Sequence, residues 1–209
     1  MMKKFPCTRR WLVLMALGVT FLCASCSKKS PAPGGITCTS LPQSITLPVT
    51  LHPQELNYWC WAASGQMVMA YMGQTVQQCS EANDYFHQTN CCPTGSAPAA
   101  CNDGGWPEFD KHHIAFLRTP NNVALPLQEL QRQIGCRKMP VAFSWQWTGG
   151  GGHMMVAVGY SNLSGAPMIE VDDPWAPNQG SHYLITYSEY VDAANNHKHW
   201  SDFYNFGNL

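Results

Sequence analysis

Asn57-Tyr58-Trp59-Cys60-Trp61-Ala62-Ala63 is the stretch that decides how this chain is read, with Gln54 six residues before the cysteine. No Gly or Pro occurs from Trp61 to Ser64, and the apolar residues that follow predict a helix from Cys60 to about Met72, stopped by Gly73. A cysteine at a helix N-terminus meets the positive end of the backbone dipole, which favours the thiolate, the nucleophilic form. Such a residue needs a base, a group that orients the base, and donors for a developing oxyanion. The rest of the chain offers candidates for each.

His153 opens an apolar run, His153-Met154-Met155-Val156-Ala157-Val158-Gly159-Tyr160, after the glycines Gly149–Gly152. Asp173 follows another apolar run in Val171-Asp172-Asp173-Pro174-Trp175. His153 can take or hold the proton of Cys60, and a carboxylate can fix its tautomer. The side-chain amide of Gln54 and the backbone N–H of Cys60 can face the oxyanion. Asp172 competes with Asp173 as orienter. Successive strand residues point to opposite faces, so only one of them can face His153.

The cysteine count bears on Cys60. The chain has ten cysteines among 209 residues. Lys3, Lys4, Arg9 and Arg10 precede an apolar run from Trp11 to Leu22 that meets Cys23-Ala24-Ser25-Cys26. That order reads as a signal peptide over residues 1–25, with a run too short to span a membrane comfortably. Ala24-Ser25 before Cys26 resembles a lipoprotein signal with Cys26 as lipid acceptor. Cys23 stands where such signals usually have Leu, and simple secretion is the alternative. A flexible tether is expected over residues 26–42. Beyond the signal, Cys38, Cys60, Cys79, Cys91, Cys92, Cys101 and Cys136 remain. The number is odd. With Cys60 set aside, the other six suit three disulfides in an oxidising compartment, with connectivity left open. Cys91 and Cys92 are expected to bond different partners.

Loss of four basic residues with the signal leaves eight Lys and Arg against 13 Asp and Glu, a net charge of about -5, which excludes a nucleic-acid footprint. His112, His113, His182, His197 and His199 lack the Cys-x-x-Cys or His-Glu-x-x-His context of a metal site, so neither metal nor cofactor is expected. His197 and His199 are read as exposed in a polar tail. Ser80 is expected to cap a second helix over Glu81–His87, Pro107 to open a third reaching about Arg118, and Pro126 a fourth ending near Gly135. Strands are expected over Met139–Trp147, His153–Tyr160, Met168–Val171 and Ser181–Tyr187, the first two as a hairpin. A helical half followed by a β half predicts an α+β domain with its site at the seam.

These residues together resemble a papain-like cysteine peptidase. Gln54, five residues, then Cys60-Trp61 has that family's spacing, and the His153 strand is similar to its catalytic histidine strand. Cys101-Asn102-Asp103-Gly104-Gly105-Trp106-Pro107 resembles its Cys-Asn-Gly-Gly turn with one residue inserted, and Asp173-Pro174-Trp175 stands in place of its Asn-Ser-Trp. The Asp-Pro pair and the Trp-Cys-Trp-Ala-Ala site resemble compact bacterial branches, the secreted effector peptidases and the double-glycine leader peptidases. His153 follows Cys60 by 93 residues, fewer than the roughly 130–150 of lysosomal members. The usual cysteine three residues before the nucleophile is Asn57 here.

The resemblance implies a papain-like α+β fold over residues 43–209, with a helical half at about 54–135, a β half at about 139–209 and a cleft between. It implies a monomeric exported endopeptidase acting on a peptide or protein, touching a membrane only through a lipid anchor. Cys60, His153 and Asp173 would form the triad and Gln54 the oxyanion donor. Trp61, Gly104, Gly105, Gly152 and Trp175 would line the substrate cleft, with Trp175 either shielding the Asp–His pair or serving as core. Competing functions are a related thiol acyl-transfer enzyme, such as a peptidoglycan amidase or acyltransferase, and a binding module with a relict site.

Overall fold

The computed structural model describes Cys38, residues 40–92 and residues 96–209. The expected signal peptide, Cys26 and most of the tether lie outside these residues.

The central helix α1 (Cys60–Tyr71) is apolar on nearly every side, and Trp61, Ala62, Ala63, Met67, Val68 and Met69 are all buried. A helix apolar all round belongs inside a domain. Gly73 follows it at φ 84°, the left-handed conformation glycine adopts without strain. The second helix, α2 (Gln78–Phe86), begins before Ser80, which does not cap it. Gln78 explains the early start. Its side chain donates to Pro53 O at 2.9 Å and Gln66 Oε1 at 3.0 Å and accepts from Glu55 N at 2.9 Å, so its interactions extend to α1 and to the Gln54 segment.

The third helix expected from Pro107 does not form. A short 3-10 turn over Phe109–His112 ends at His113, which takes a left-handed φ of 57°, and the chain then runs as strand β2 (Ile114–Arg118). β2 pairs with the last strand of the sheet, and that pairing overrides the local helical pattern. The fourth expected helix is present as α3 (Leu127–Gly135) after Pro126.

Ser44–Thr46 (β1), Val141–Trp147 (β3), Gly152–Ser161 (β4), Met168–Asp173 (β5), Ser181–Thr186 (β6), Asp192–Ala193 (β7) and His197–Asn208 (β8) complete an antiparallel sheet with β2. Its order is β2-β8-β3-β4-β5-β6, with β1 beside β4 and β7 beside β8. A short helix, α4 (Tyr187–Val191), lies between β6 and β7, and Thr186 and Glu189 close its capping box. Alternation along the strands splits the core. Met154, Val156 and Val158 join Trp61, Met67 and Phe109 on the α1 side. Met155 and Ala157 join Val141, Phe143, Leu130 and Ile134 on the α3 side. Helices thus cover both faces of the sheet, and the fold is α+β.

His197 and His199 are not in an exposed tail. They lie on β8 at 2% and 3% exposure, and His197 stacks on Trp145 with ring centroids 3.6 Å apart. The polar letters of residues 197–202 conceal part of a strand in which several polar side chains are hydrogen-bonded inside. Asp202, for example, accepts from Leu125 N at 2.8 Å and from the Tyr190 hydroxyl.

Three disulfides join Cys38 to Cys136, Cys79 to Cys92 and Cys91 to Cys101. The adjacent Cys91 and Cys92 therefore bond different partners. Among the described residues Cys60 alone is a free thiol.

Candidate active site

Cys60 is the first residue of α1, and Trp59 before it makes no side-chain cap. The first-turn amides of a helix have no partner within it, so this end carries donors and partial positive charge. Two indoles fix the loop that faces it. Trp59 Nε1 donates to Cys101 O at 2.6 Å, and Trp61 Nε1 donates to Asp103 O at 3.1 Å. Gly105 lies so close to the Trp61 ring that a Cβ there would stand 2.7 Å from it.

His153 enters from β4. The turn before it requires glycine, because Gly150 and Gly151 take φ of 95° and 77°. The His153 ring lies beside Cys60, and its Nε2 is 2.6 Å from Asp173 Oδ1. That leaves Nδ1 for the thiol. The Trp147 ring lies nearly parallel to the imidazole, with centroids 6.2 Å apart.

Sheet register separates the two neighbouring aspartates. Asp172 lies opposite His182 on β6, and its carboxylate meets His182 Nδ1 at 2.7 Å. Asp173 projects from the other face and meets His153. Pro174 has no N–H, so the next amide, Trp175 N, closes a turn onto Asp173 Oδ1 at 2.8 Å. The Tyr183 hydroxyl donates to Asp173 Oδ2 at 2.8 Å. Sequence reading missed Tyr183, because only the pairing of β5 with β6 brings it to Asp173.

The electrostatics follow from these contacts. Burial works against a charged His153, but the hydrogen bonds and negative charge of Asp173 and Cys60 outweigh it and raise its pKa to about 9. Burial likewise opposes ionisation of Asp173. The His153 ring, the Trp175 amide and the Tyr183 hydroxyl overcome it and hold the carboxyl below its usual range. An imidazolium–carboxylate pair results, with Cys60 beside it.

Gln54 is fully buried. Its backbone bonds Pro174 O at 3.0 Å and receives Asn178 N at 2.9 Å, tying it to the loop after β5. Its side-chain amide donates to Leu56 O at 2.7 Å and Asn57 O at 2.9 Å, and its Oε1 has no partner.

Two hollows meet at Cys60 and His153. One, of about 270 Å³, is lined by Trp61, Gly104, Gly105, Trp106, Gly152 and Trp200 among others. The other, of about 890 Å³, is lined by Gln54, Tyr58, Trp147, Trp175 and Tyr183 among others. Trp175 is 51% exposed, so it is cleft wall and not core. No group of three or more ligating side chains positioned to hold a metal occurs among the described residues.

This fold, with a cysteine heading the central helix and a histidine on the facing sheet, defines the class of papain-like cysteine proteases. Residues 42–194 match the family described as papain-like cysteine protease AvrRpt2, and the chain belongs to that family. In structure it is similar to a chain solved in work on the mite allergens Blo t 1 and Der p 1, at 13% identity and TM-score 0.53, covering 86% of this chain and 75% of that one. It also matches xylellain, a cysteine protease from Xylella fastidiosa, at 13% identity and TM-score 0.47, covering 78% of this chain and 86% of that one. No curated protein matches the sequence.

Proposed function

We propose that the chain is an exported endopeptidase whose catalytic groups are Cys60, His153, Asp173 and Gln54. The observation that carries this reading is His153, set beside Cys60 on one side and bonded at 2.6 Å to Asp173 on the other. The Cys60 thiolate attacks a peptide carbonyl in the cleft. Amides at the start of α1 receive the developing oxyanion. Gln54 adds a donor by exchanging its longer bond, to Asn57 O, for that oxygen. His153 Nδ1 passes its proton to the leaving amine. It then draws a proton from the water that hydrolyses the thioester, while Asp173 holds the ring through Nε2.

Export agrees with the three disulfides, which persist in oxidising compartments, and with the basic-then-apolar start of the chain. Among the described residues no helix is long and apolar enough to cross a membrane. The reading of Cys26 as a lipid acceptor rests on the basic-then-apolar start and on Ala24-Ser25 before it. Metabolic labelling with palmitate should mark the protein and fail on Cys26→Ser.

For the enzymatic reading, a peptide epoxide should add once to the wild type, at Cys60, and block digestion of an unfolded protein substrate. Cys60→Ala should neither add the probe nor digest. Undiminished digestion by Cys60→Ala would overturn the reading.

A further inference from the structure

The Asp173 carboxylate offers two acceptor oxygens. Oδ1 takes both His153 Nε2 and the Trp175 amide, at 2.6 and 2.8 Å. Oδ2 faces the Tyr183 hydroxyl at 2.8 Å. The sheet dictates this meeting. Asp173 pairs with Ser181 and Val171 with Tyr183, so Tyr183 shares the face of Asp173 and lies diagonal to it. Diagonal neighbours stand about 7–8 Å apart, within reach of an aromatic side chain. The same hydroxyl contacts Met155 Sδ at 3.5 Å, and Met155 lies two residues beyond His153 on β4. Tyr183 therefore contacts both strands that carry the pair.

We infer that Tyr183 is a positioning residue of the proteolytic site, whose hydroxyl fixes the Asp173 carboxylate and through it the orientation of His153. This rests on the reading of Cys60, His153 and Asp173 as catalytic groups. Without a donor on Oδ2, the carboxylate keeps only contacts on one oxygen. It can then turn about its Cβ–Cγ bond and present either oxygen to the ring. With the donor in place, one plane and one oxygen are selected. A buried Oδ2 left without a partner would also disfavour the anion that holds the imidazolium. The donor stays protonated at any working pH. Burial pushes the Tyr183 phenol well above its ordinary range, and the Asp173 charge pushes it further.

Tyr183 also borders the larger hollow of the cleft, so a substrate-binding role is the competing explanation. Three readouts separate the two. In Tyr183→Phe, kcat should fall about tenfold with KM unchanged, as expected when a hydrogen bond that orients a charged catalytic group without touching the substrate is lost. The alkaline fall in activity should move to lower pH, because a carboxylate free to turn holds the His153 proton less well. In an Asp173→Ala background, Tyr183→Phe should cost nothing more, because the group it acts through is gone.

A loss confined to KM, an unmoved pH profile, or an equal loss in the Asp173→Ala background would overturn the inference. So would a Tyr183→Phe protein that does not fold, since Tyr183 would then serve the fold and not the site. Cys60→Ala is the control for the underlying reading. Activity surviving in Cys60→Ala sinks the catalytic assignment itself. An inactive Cys60→Ala beside an unaltered Tyr183→Phe sinks only the role of Tyr183.

Discussion

Two histidine–aspartate pairs hang from the same strand, one residue apart and on opposite faces. His153 meets Asp173 at 2.6 Å and His182 meets Asp172 at 2.7 Å, so bond length does not distinguish them. Their surroundings do. The His153 and Asp173 side chains are 11% and 12% exposed, whereas His182 is 50% exposed over an Asp172 at 5%. Asp173 receives an amide and a phenol besides its histidine, and the sum holds its carboxyl below the usual range. Asp172 has His182 alone against its burial and the nearby Glu170 charge, and its carboxyl is raised. Neighbouring residues of one type thus shift in opposite directions. A His–Asp contact alone is not a site; a nucleophile beside the ring and donors around the carboxylate make it one.

The comparison breaks first at the histidines. His153→Ala should lower kcat/KM by about 10⁴-fold, the scale of losing a group that acts in every step. His182→Ala should leave it within about twofold, the scale of a surface change. Peptide hydrolysis by the two purified variants measures both. Comparable losses would show that the outer pair takes part in the chemistry.

The aspartates come next. Asp173→Asn replaces a charge-assisted bond by a neutral one, and kcat should fall about 10- to 100-fold. The pH profile carries the sign. In the wild type the His153 imidazolium is held to about 9, so activity should decline as pH rises through that value. Asp173→Asn removes one of the charges that raise it, so the decline should begin at lower pH. The same linkage governs stability. A histidine whose pKa is raised by folding contributes stability that is complete below its unfolded value near 6.5 and is lost as pH rises through about 9. Thermal midpoints of the wild type should therefore fall across that window, and those of His153→Ala should fall less.

Much of this is legible in the sequence. Cys60 at a helix start, the glycines before His153, Pro126 and the apolar run Met168–Val171 before Asp173 are local patterns, and α1, α3 and the β3–β4 hairpin follow from them. What the sequence hid was set by pairing across the sheet. Residues 114–118 carry a pattern that continues a helix after Pro107, and only β8 makes them a strand. His197 and His199 look like a solvated tail until β8 is placed between β2 and β3. Strand alternation alone leaves Asp172 and Asp173 open, and only the resemblance of Asp173-Pro174-Trp175 favours Asp173, because the choice lies in which face of β5 meets β4 and β6. Tyr183 was invisible for the same reason.

The smallest expected effect is also the one that isolates the outer pair. Asp172 is an acid whose carboxyl is raised on folding, chiefly by burial, so its ionised form costs stability at neutral pH and the cost is relieved as pH falls. That is the opposite sign to Asp173, whose lowered carboxyl contributes stability at neutral pH and loses it on acidification. Asn at position 172 is neutral at every pH. Asp172→Asn should therefore lose the relief on acidification, and its stability relative to the wild type should decline as pH falls from 7. Its kcat/KM should stay within about twofold, the scale of substitutions remote from the chemistry. Urea midpoints at a series of pH values, set beside those of Asp173→Asn, give the two slopes directly. Slopes of the same sign would mean that the two faces of β5 are not the separate environments their burial and partners describe.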